Sequence, residues 1–391
     1  MSRKQLEISD IIKQHGLEFR RNRSLTKKQK SVLSAIELCR TEHLGYHLDG
    51  CTVCGHREIS YNSCRDRHCP KCQGIAQRQW IEKRLDQLLP VPYYHVVFTL
   101  PAGLFPFSLY NKKLVYGLLF DSAATALKEF GRDPQWLGGN LGFFGVLHTW
   151  GQTLWHHPHV HFIVAGGALN GDGNWVYPKH KGKFLFPVRA VSKVFQGKFM
   201  RGLEQAINNN NFCLPEDQVH SSHGWQSKRF LRSLVTKNWV VYCKSPFKKA
   251  EQVIKYIGRY THKVALSNSR LVAMENGHVK FKYRDYKDQK KSKIMTLKVE
   301  DFLQRFVWHV LPERFHRIRH YGFLANGVAV SSCKSIKRIL GNEGKLSEVV
   351  PVSPMITCKK CKLGIMILLK LITQSGHMII PLNRYGFDNS T

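Results

Sequence analysis

The stretch Trp155-His156-His157-Pro158-His159-Val160-His161-Phe162-Ile163-Val164-Ala165-Gly166-Gly167 decides how the chain is read. Pro158 suits the first residue of a strand. At a period of two, His159, His161 and Ile163 face one way, and Val160, Phe162 and Val164 face the other. Two imidazoles then stand side by side on a rigid strand with an apolar back. Such a strand can offer two nitrogens to one divalent metal and leave positions open for a substrate oxygen. A bare His-x-His also serves as a half-buried pair bonded to carbonyls, so the rest of the chain has to decide.

The totals narrow the field. With 391 residues and 43% hydrophobic content, the chain can bury two or three cores. Sixty Lys and Arg against 27 Asp and Glu leave a net charge of +33. A charge of that size calls for a polyanion, and nucleic acid is the first candidate. An anionic membrane surface fits less well, because the basic residues are spread along the chain and not stacked on one amphipathic helix. No apolar run reaches the roughly 18–20 residues that span a bilayer. The N-terminus carries no apolar core of the secretory kind, so a cytoplasmic protein is expected. Eleven cysteines in such a chain point to metal ligands before disulfides.

Residues 4–45 read as two helices, Leu6, Ile8, Ile11 and Ile12 striping the first and Val32, Leu33 and Ile36 the second, which Thr26 could cap. Cys51-Thr-Val-Cys54 and Cys69-Pro-Lys-Cys72 follow. Two Cys-x-x-Cys knuckles suit a closed tetrahedral Zn²⁺ site, and Cys51, Cys54, Cys69 and Cys72 are the expected ligands of one structural zinc. Cys64, His56 and His68 are additional donors nearby, and Arg57, Arg65, Arg67 and Lys71 make the segment basic.

Residues 75–89 read as an amphipathic helix stopped by Pro90 and Pro92, where a domain boundary is placed. Strands are expected at 94–100, at 141–147, through the His-x-His stretch and at 239–243. Helices are expected at 104–130, 188–207 and 302–311, and a polar loop at 208–227. The fold class is therefore α+β. A helical and zinc-ribbon-like domain (1–90) precedes a domain with a central antiparallel sheet and flanking helices (93–325). A C-terminal tail (326–391) follows. In it, Cys358-Lys-Lys-Cys361 is half of a zinc site with no second pair after it. The segment 281–286, with Lys287, Lys290 and Lys291, is a basic aromatic hairpin that suits either DNA contact or plain solvation.

Residues 249–264 read as a helix on which Tyr256 and Tyr260, four apart, share a face. Lys255, Arg259, His262 and Lys263 surround them with positive charge, as a phosphate approaching a phenol would require. The chemistry that uses these parts is transesterification of a DNA phosphodiester. A tyrosyl oxygen attacks phosphorus and a 3′ hydroxyl leaves. A divalent metal on His159 and His161 would stabilise the developing charge.

Several segments taken together resemble a known family. They are Cys39-Arg-Thr, Tyr61-Asn-Ser-Cys-Arg-Asp-Arg-His-Cys-Pro-Lys-Cys72, Leu89-Pro-Val-Pro-Tyr-Tyr-His-Val-Val-Phe-Thr-Leu-Pro101 and Leu147-His-Thr-Trp-Gly-Gln152. They continue with His157-Pro-His-Val-His161, Tyr256-Ile-Gly-Arg-Tyr-Thr-His262 and Arg314-Phe-His-Arg-Ile-Arg-His-Tyr-Gly322. Over about residues 5–325 the chain resembles the two-tyrosine rolling-circle transposases of bacterial insertion sequences, members of the HUH endonuclease superfamily. The resemblance implies a zinc-binding domain followed by a nuclease domain. It implies Mg²⁺ or Mn²⁺ on His159 and His161, with Tyr256 and Tyr260 as nucleophiles. It also implies single-stranded DNA at mobile-element ends as substrate. HUH enzymes generally use a third metal ligand. Gln152, just upstream of the strand, is the candidate, with His148 behind it.

Two readings compete. The same site could serve a replication initiator or relaxase, and the chain could be a zinc-containing DNA-binding protein that no longer cleaves. RNA is a third partner that composition alone does not separate from DNA.

Overall fold

The computed structural model describes residues 5–85, 87–179, 184–215, 226–244, 246–247, 253, 258, 264–341 and 356–379. Helices α1 (Ile8–Asn22) and α2 (Lys27–Leu38) open it. Thr26 caps α2 as expected: its Oγ1 accepts from Gln29 N at 3.2 Å, and Gln29 Oε1 accepts from Thr26 N at 2.9 Å. This reciprocal box satisfies two backbone donors that the first turn would leave open. Strands β1 (Tyr46–Cys51) and β2 (Arg57–Tyr61) form a ribbon, and helix α3 (Gln73–Leu85) follows.

The central sheet is built from β3 (Tyr93–Thr99), β4 (Asn140–Trp150), β5 (His156–Leu169), β6 (Trp175–Val176), β7 (Val240–Cys243) and, much later, β11 (Ile318–Tyr321). Its order is β11-β4-β5-β3-β7, with β6 paired to β5, and every pairing is antiparallel. The expected α+β class, with a central antiparallel sheet and helices around it, is what the chain adopts. Strand β5 starts at His156, two residues before Pro158, because Trp150 on β4 pairs with His156 beyond a register shift that follows His148. The expectation that Pro158 opens the strand is corrected accordingly. Its carbonyl instead accepts from Leu100 N at 3.4 Å.

The two faces of this sheet are differently covered. Helices α4 (Phe105–Tyr110), α5 (Lys112–Arg132) and α6 (Val188–Asn208) follow β3 and β6 in the chain. Tyr116, Leu119, Phe120 and Ala123 of α5 and Phe195 and Phe199 of α6 share one buried core with Phe98, Leu147, Val160 and Phe162 of the sheet. Each fully buried Leu, Val or Phe side chain among them contributes about 1.5–3 kcal/mol. Helix α7 (Ser227–Val235) begins where the expected loop ends; it buries only Leu234, too little apolar surface to signal a helix. Tyr93, Phe144, Val146 and Ile163 point the other way, into a second cluster with Leu89, Val253 and Ile336. The face opposite α5 and α6 is the one that carries His159 and His161.

A separate three-stranded sheet, β8 (Leu271–Glu275), β9 (His278–Asp285) and β10 (Lys291–Lys298), leads into helix α8 (Val299–Trp308). The N-terminal helices pack on it: Ile8, Ile11, Ile12, Val32 and Leu33 share one core with Phe281, Phe302, Leu303 and Phe306. Helix α9 (Ala329–Ile339) precedes β12 (Met366–Ile372) and β13 (Met378–Ile379). Strand β12 pairs antiparallel with β1, so the C-terminal segment returns to the N-terminal ribbon and completes a sheet ordered β13-β12-β1-β2.

Candidate functional site

On the face of the central sheet opposite α5 and α6, antiparallel register brings three imidazoles together. His148 of β4 is the cross-strand partner of His159 on β5, and His161 lies two residues further along β5. One nitrogen from each of His148, His159 and His161 falls within 4.8 Å of the others. The rings of His148 and His161 are 4.5 Å apart, and those of His159 and His161 are 4.8 Å apart. Three imidazole nitrogens converging from two strands make a donor set that suits a divalent transition metal such as Mn²⁺, with sites left for oxygen.

The surroundings keep these rings in the state a metal needs. Burial pushes His159 down to about 3, so the ring is neutral at physiological pH. Its Nδ1 lies 2.6 Å from the His157 carbonyl, which can only accept, so Nδ1 carries the proton and Nε2 presents a lone pair. His161 Nδ1 is 2.8 Å from His95 Nε2, and the two rings stack. Burial holds His95 at about 4, so its ring is neutral as well. His95 thus orients His161 from the adjacent strand β3.

Gln152 has bonding partners of its own. Its Oε1 accepts from Arg284 N at 3.4 Å, and its carbonyl accepts from Arg270. Both partners belong to the β8–β10 unit, which draws the side chain away from the histidines. Of the two candidate third ligands, His148 is the one that the structure groups with His159 and His161. The signal was present in the sequence: Phe144, Val146 and His148 alternate onto one face, and a hairpin register would have paired His148 with His159.

The cysteines are regrouped too. Cys51, Cys54, Cys69 and Cys72 do not converge on one point. Cys69 and Cys72 join Cys39 and Cys64, whereas Cys51 and Cys54 join Cys358 and Cys361. In the first group, Cys39 Sγ lies 3.5 Å and Cys64 Sγ 3.6 Å from Cys72 Sγ. Contacts with Cys39, Cys64 and Cys69 hold the Cys72 thiol far below the usual range, as a thiolate donor requires. The single four-cysteine site fails for a topological reason. Cys39 ends α2, and both it and the Cys69–Cys72 knuckle belong to the core beneath α1 and α2, while Cys51 and Cys54 sit at the tip of the β1–β2 ribbon. His68 is a bystander: it bonds Asp66 at 2.9 Å and accepts from Leu311 N at 3.2 Å.

Tyr256 and Tyr260 lie outside the described residues, as do Lys255, Arg259, His262 and Lys263. Two described residues fix where their segment meets the rest. Val253 is buried in the cluster that includes Phe144, Val146 and Ile163, on the histidine-bearing face. Gly258 is held by α3: its carbonyl accepts from Gln77 Nε2, and a Cβ there would come within 2.3 Å of Ile81.

Fold and site together define an α+β protein with two four-cysteine clusters and a histidine cluster on an antiparallel sheet. A family model described as "Transposase zinc-binding domain" matches residues 11–100, and one described as "Putative transposase" matches residues 142–332. The protein named "Putative transposase y4qJ" of Sinorhizobium fredii (strain NBRC 101917 / NGR234) is 46% identical over 343 residues, covering 87% of this chain and 86% of its own. "Transposase for insertion sequence element IS801" of Pseudomonas savastanoi pv. phaseolicola is 31% identical over 296 residues, covering 74% of this chain and 68% of its own. The chain belongs to the insertion-sequence transposase family that its sequence resembles. No helix among the described residues is long and apolar enough to cross a membrane.

Proposed function

We propose that this transposase nicks and rejoins single-stranded DNA at mobile-element ends by tyrosyl transesterification. The observation that carries the reading is the cluster His148, His159 and His161 on the sheet face that also buries Val253, three residues before Tyr256. These histidines would hold Mg²⁺ or Mn²⁺, which when bound supplies Lewis-acid stabilisation of charge on the scissile phosphate. His95 and the His157 carbonyl orient two of the rings. The phenol oxygen of Tyr256 or Tyr260 loses its proton and bonds to phosphorus. The P–O3′ bond breaks, and the 3′ oxygen leaves as a hydroxyl. The 5′ phosphotyrosine keeps the bond energy, so a later 3′ hydroxyl can reverse the step without ATP. Two phenols allow two strands to be held.

Single-strand binding is supported by an aromatic pair of which Trp155 is exposed. Trp155 and Trp308 stack at 5.6 Å, Arg305 lies over Trp155 at 4.5 Å, and Trp155 is 56% exposed. A flat ring backed by a cation suits an unpaired base. The basic hairpin of β9 and β10 is a weaker candidate, because Asp285 and Asp288 already engage Lys293, at 2.9 and 3.0 Å.

The deciding experiment is cleavage of labelled single-stranded element ends with Mn²⁺, comparing the native chain with Tyr256→Phe, Tyr260→Phe and the double change. A denaturation-resistant protein–DNA adduct lost in the double change supports the reading. Tight binding without adduct or nick would replace it with a non-catalytic DNA-binding role.

A further inference from the structure

We propose that Cys51, Cys54, Cys358 and Cys361 bind a second structural zinc ion, which clasps the C-terminal segment onto the N-terminal ribbon. The matched zinc-binding region ends at residue 100, so half of this donor set lies far beyond it. All four sulfurs fall within 4.8 Å of one another, with Cys51 Sγ 3.6 Å from Cys361 Sγ and Cys54 Sγ 3.7 Å from Cys358 Sγ. A zinc tetrahedron with bonds of about 2.3 Å has sulfur–sulfur edges of about 3.8 Å. A disulfide would need about 2.05 Å. The spacing is that of a shared ion.

The backbone supports the same geometry from both sides. Val53 N and Cys54 N point at Cys51 Sγ at 3.4 and 3.5 Å, and Gly364 N points at Cys361 Sγ at 3.3 Å. Amide donors of this kind favour the thiolate, the form that ligates. The residue after each second cysteine has the same left-handed conformation, φ +66° at Gly55 and +59° at Lys362. Lysine gains nothing from that region, so the second knuckle holds it there as the first holds a glycine.

The two knuckles meet because their strands pair. The β1–β12 register runs from Tyr46 opposite Ile372 to Cys51 opposite Met366. Thr52 N donates to Ile365 O, Ile365 N donates to Thr52 Oγ1, and Lys359 bridges to Glu58 at 2.7 Å. Gly364 packs so closely that a Cβ would come within 2.3 Å of Cys51 Sγ. Around this tip, among the described residues, the buried apolar cluster is Cys51, Cys358 and Met366 with Cys361 against it. A core that small does not hold a chain end; a bound metal does. The other cysteine group, in contrast, is embedded in the core under α1 and α2.

Zinc per chain, measured by elemental analysis and native mass spectrometry on the full-length protein, tests this. Two zincs are expected in the native chain. The double change Cys358→Ser and Cys361→Ser should leave one, and Cys64→Ser with Cys69→Ser should also leave one. One zinc in the native chain, unaltered by the Cys358/Cys361 change, would overturn the proposal, as would two zincs retained by that variant. If the serine variant precipitates, Cys361→His loaded with Co²⁺ decides. A change in the visible d–d bands marks Cys361 as a ligand, and unchanged bands refute it.

Discussion

His148 on β4 stands directly opposite His159 on β5, and this one cross-strand pairing converts a two-histidine motif into a three-imidazole cluster. If His148 is a ligand and Gln152 is not, the two substitutions separate cleanly. His148→Ala should reduce Mn²⁺-dependent cleavage by about two orders of magnitude or more, since it removes a direct ligand where loss of a supporting group alone costs about 10–100-fold. Gln152→Ala should stay within a few-fold of the native rate. The reverse order would restore Gln152 as the ligand.

His95 offers a finer test. It touches His161 and not the cluster's open side, so His95→Ala should weaken Mn²⁺ affinity by about 10–100-fold and leave the folded state in place. Isothermal titration with Mn²⁺, paired with circular dichroism, reads both. Unchanged affinity would mean that His161 needs no such support.

Acid should unfold the protein through buried neutral histidines away from the cluster. His309 bonds Leu154 O at 3.1 Å, and His156 bonds Ser108 Oγ at 2.8 Å. Burial lowers them to about 3 and about 2. Their folded pKa lies below the unfolded value, so between about 6.5 and about 3 the unfolded chain binds more protons. Stability is therefore fully present above about pH 6.5 and lost as pH falls. The melting temperature should drop across that window, and His309→Gln should flatten the slope. A flat native profile would count against both assignments.

Trp155 can be tested by binding alone. Trp155→Ala should cost about 1–3 kcal/mol of affinity for single-stranded DNA, the range for one stacked base, while duplex binding changes little. Equal losses on both substrates would point to a structural role for the Trp155–Trp308 stack.

Thr26→Ala removes the Oγ1 half of the α2 capping box, leaving the backbone bond from Thr26 N to Gln29 Oε1, and should destabilise the N-terminal helices by about 1 kcal/mol. Denaturant unfolding of the native and altered chains measures it. No shift in midpoint would mean that packing on α8 alone fixes the start of α2.

The legible and illegible parts of this protein divide along sequence distance. The alternation in β5 declared a strand with His159 and His161 on one face, Thr26 and Gln29 declared a helix start, and each Cys-x-x-Cys declared a metal knuckle. Such signals are carried by residues within a turn or a few strand positions, where backbone geometry alone sets which side chains meet. The partners of those knuckles were not legible. Cys39 reaches Cys69 and Cys72 only because α2 packs beside them, and Cys358 and Cys361 reach Cys51 and Cys54 only because β12 returns to pair with β1. His148 joined the histidines through the β4–β5 register, and Gln152 was drawn off by Arg270 and Arg284. The sequence by itself determined the donors and the strand that displays them. Tertiary structure decided which donors converge, because that depends on strand pairing and helix packing across up to some three hundred residues of chain, which no local pattern encodes.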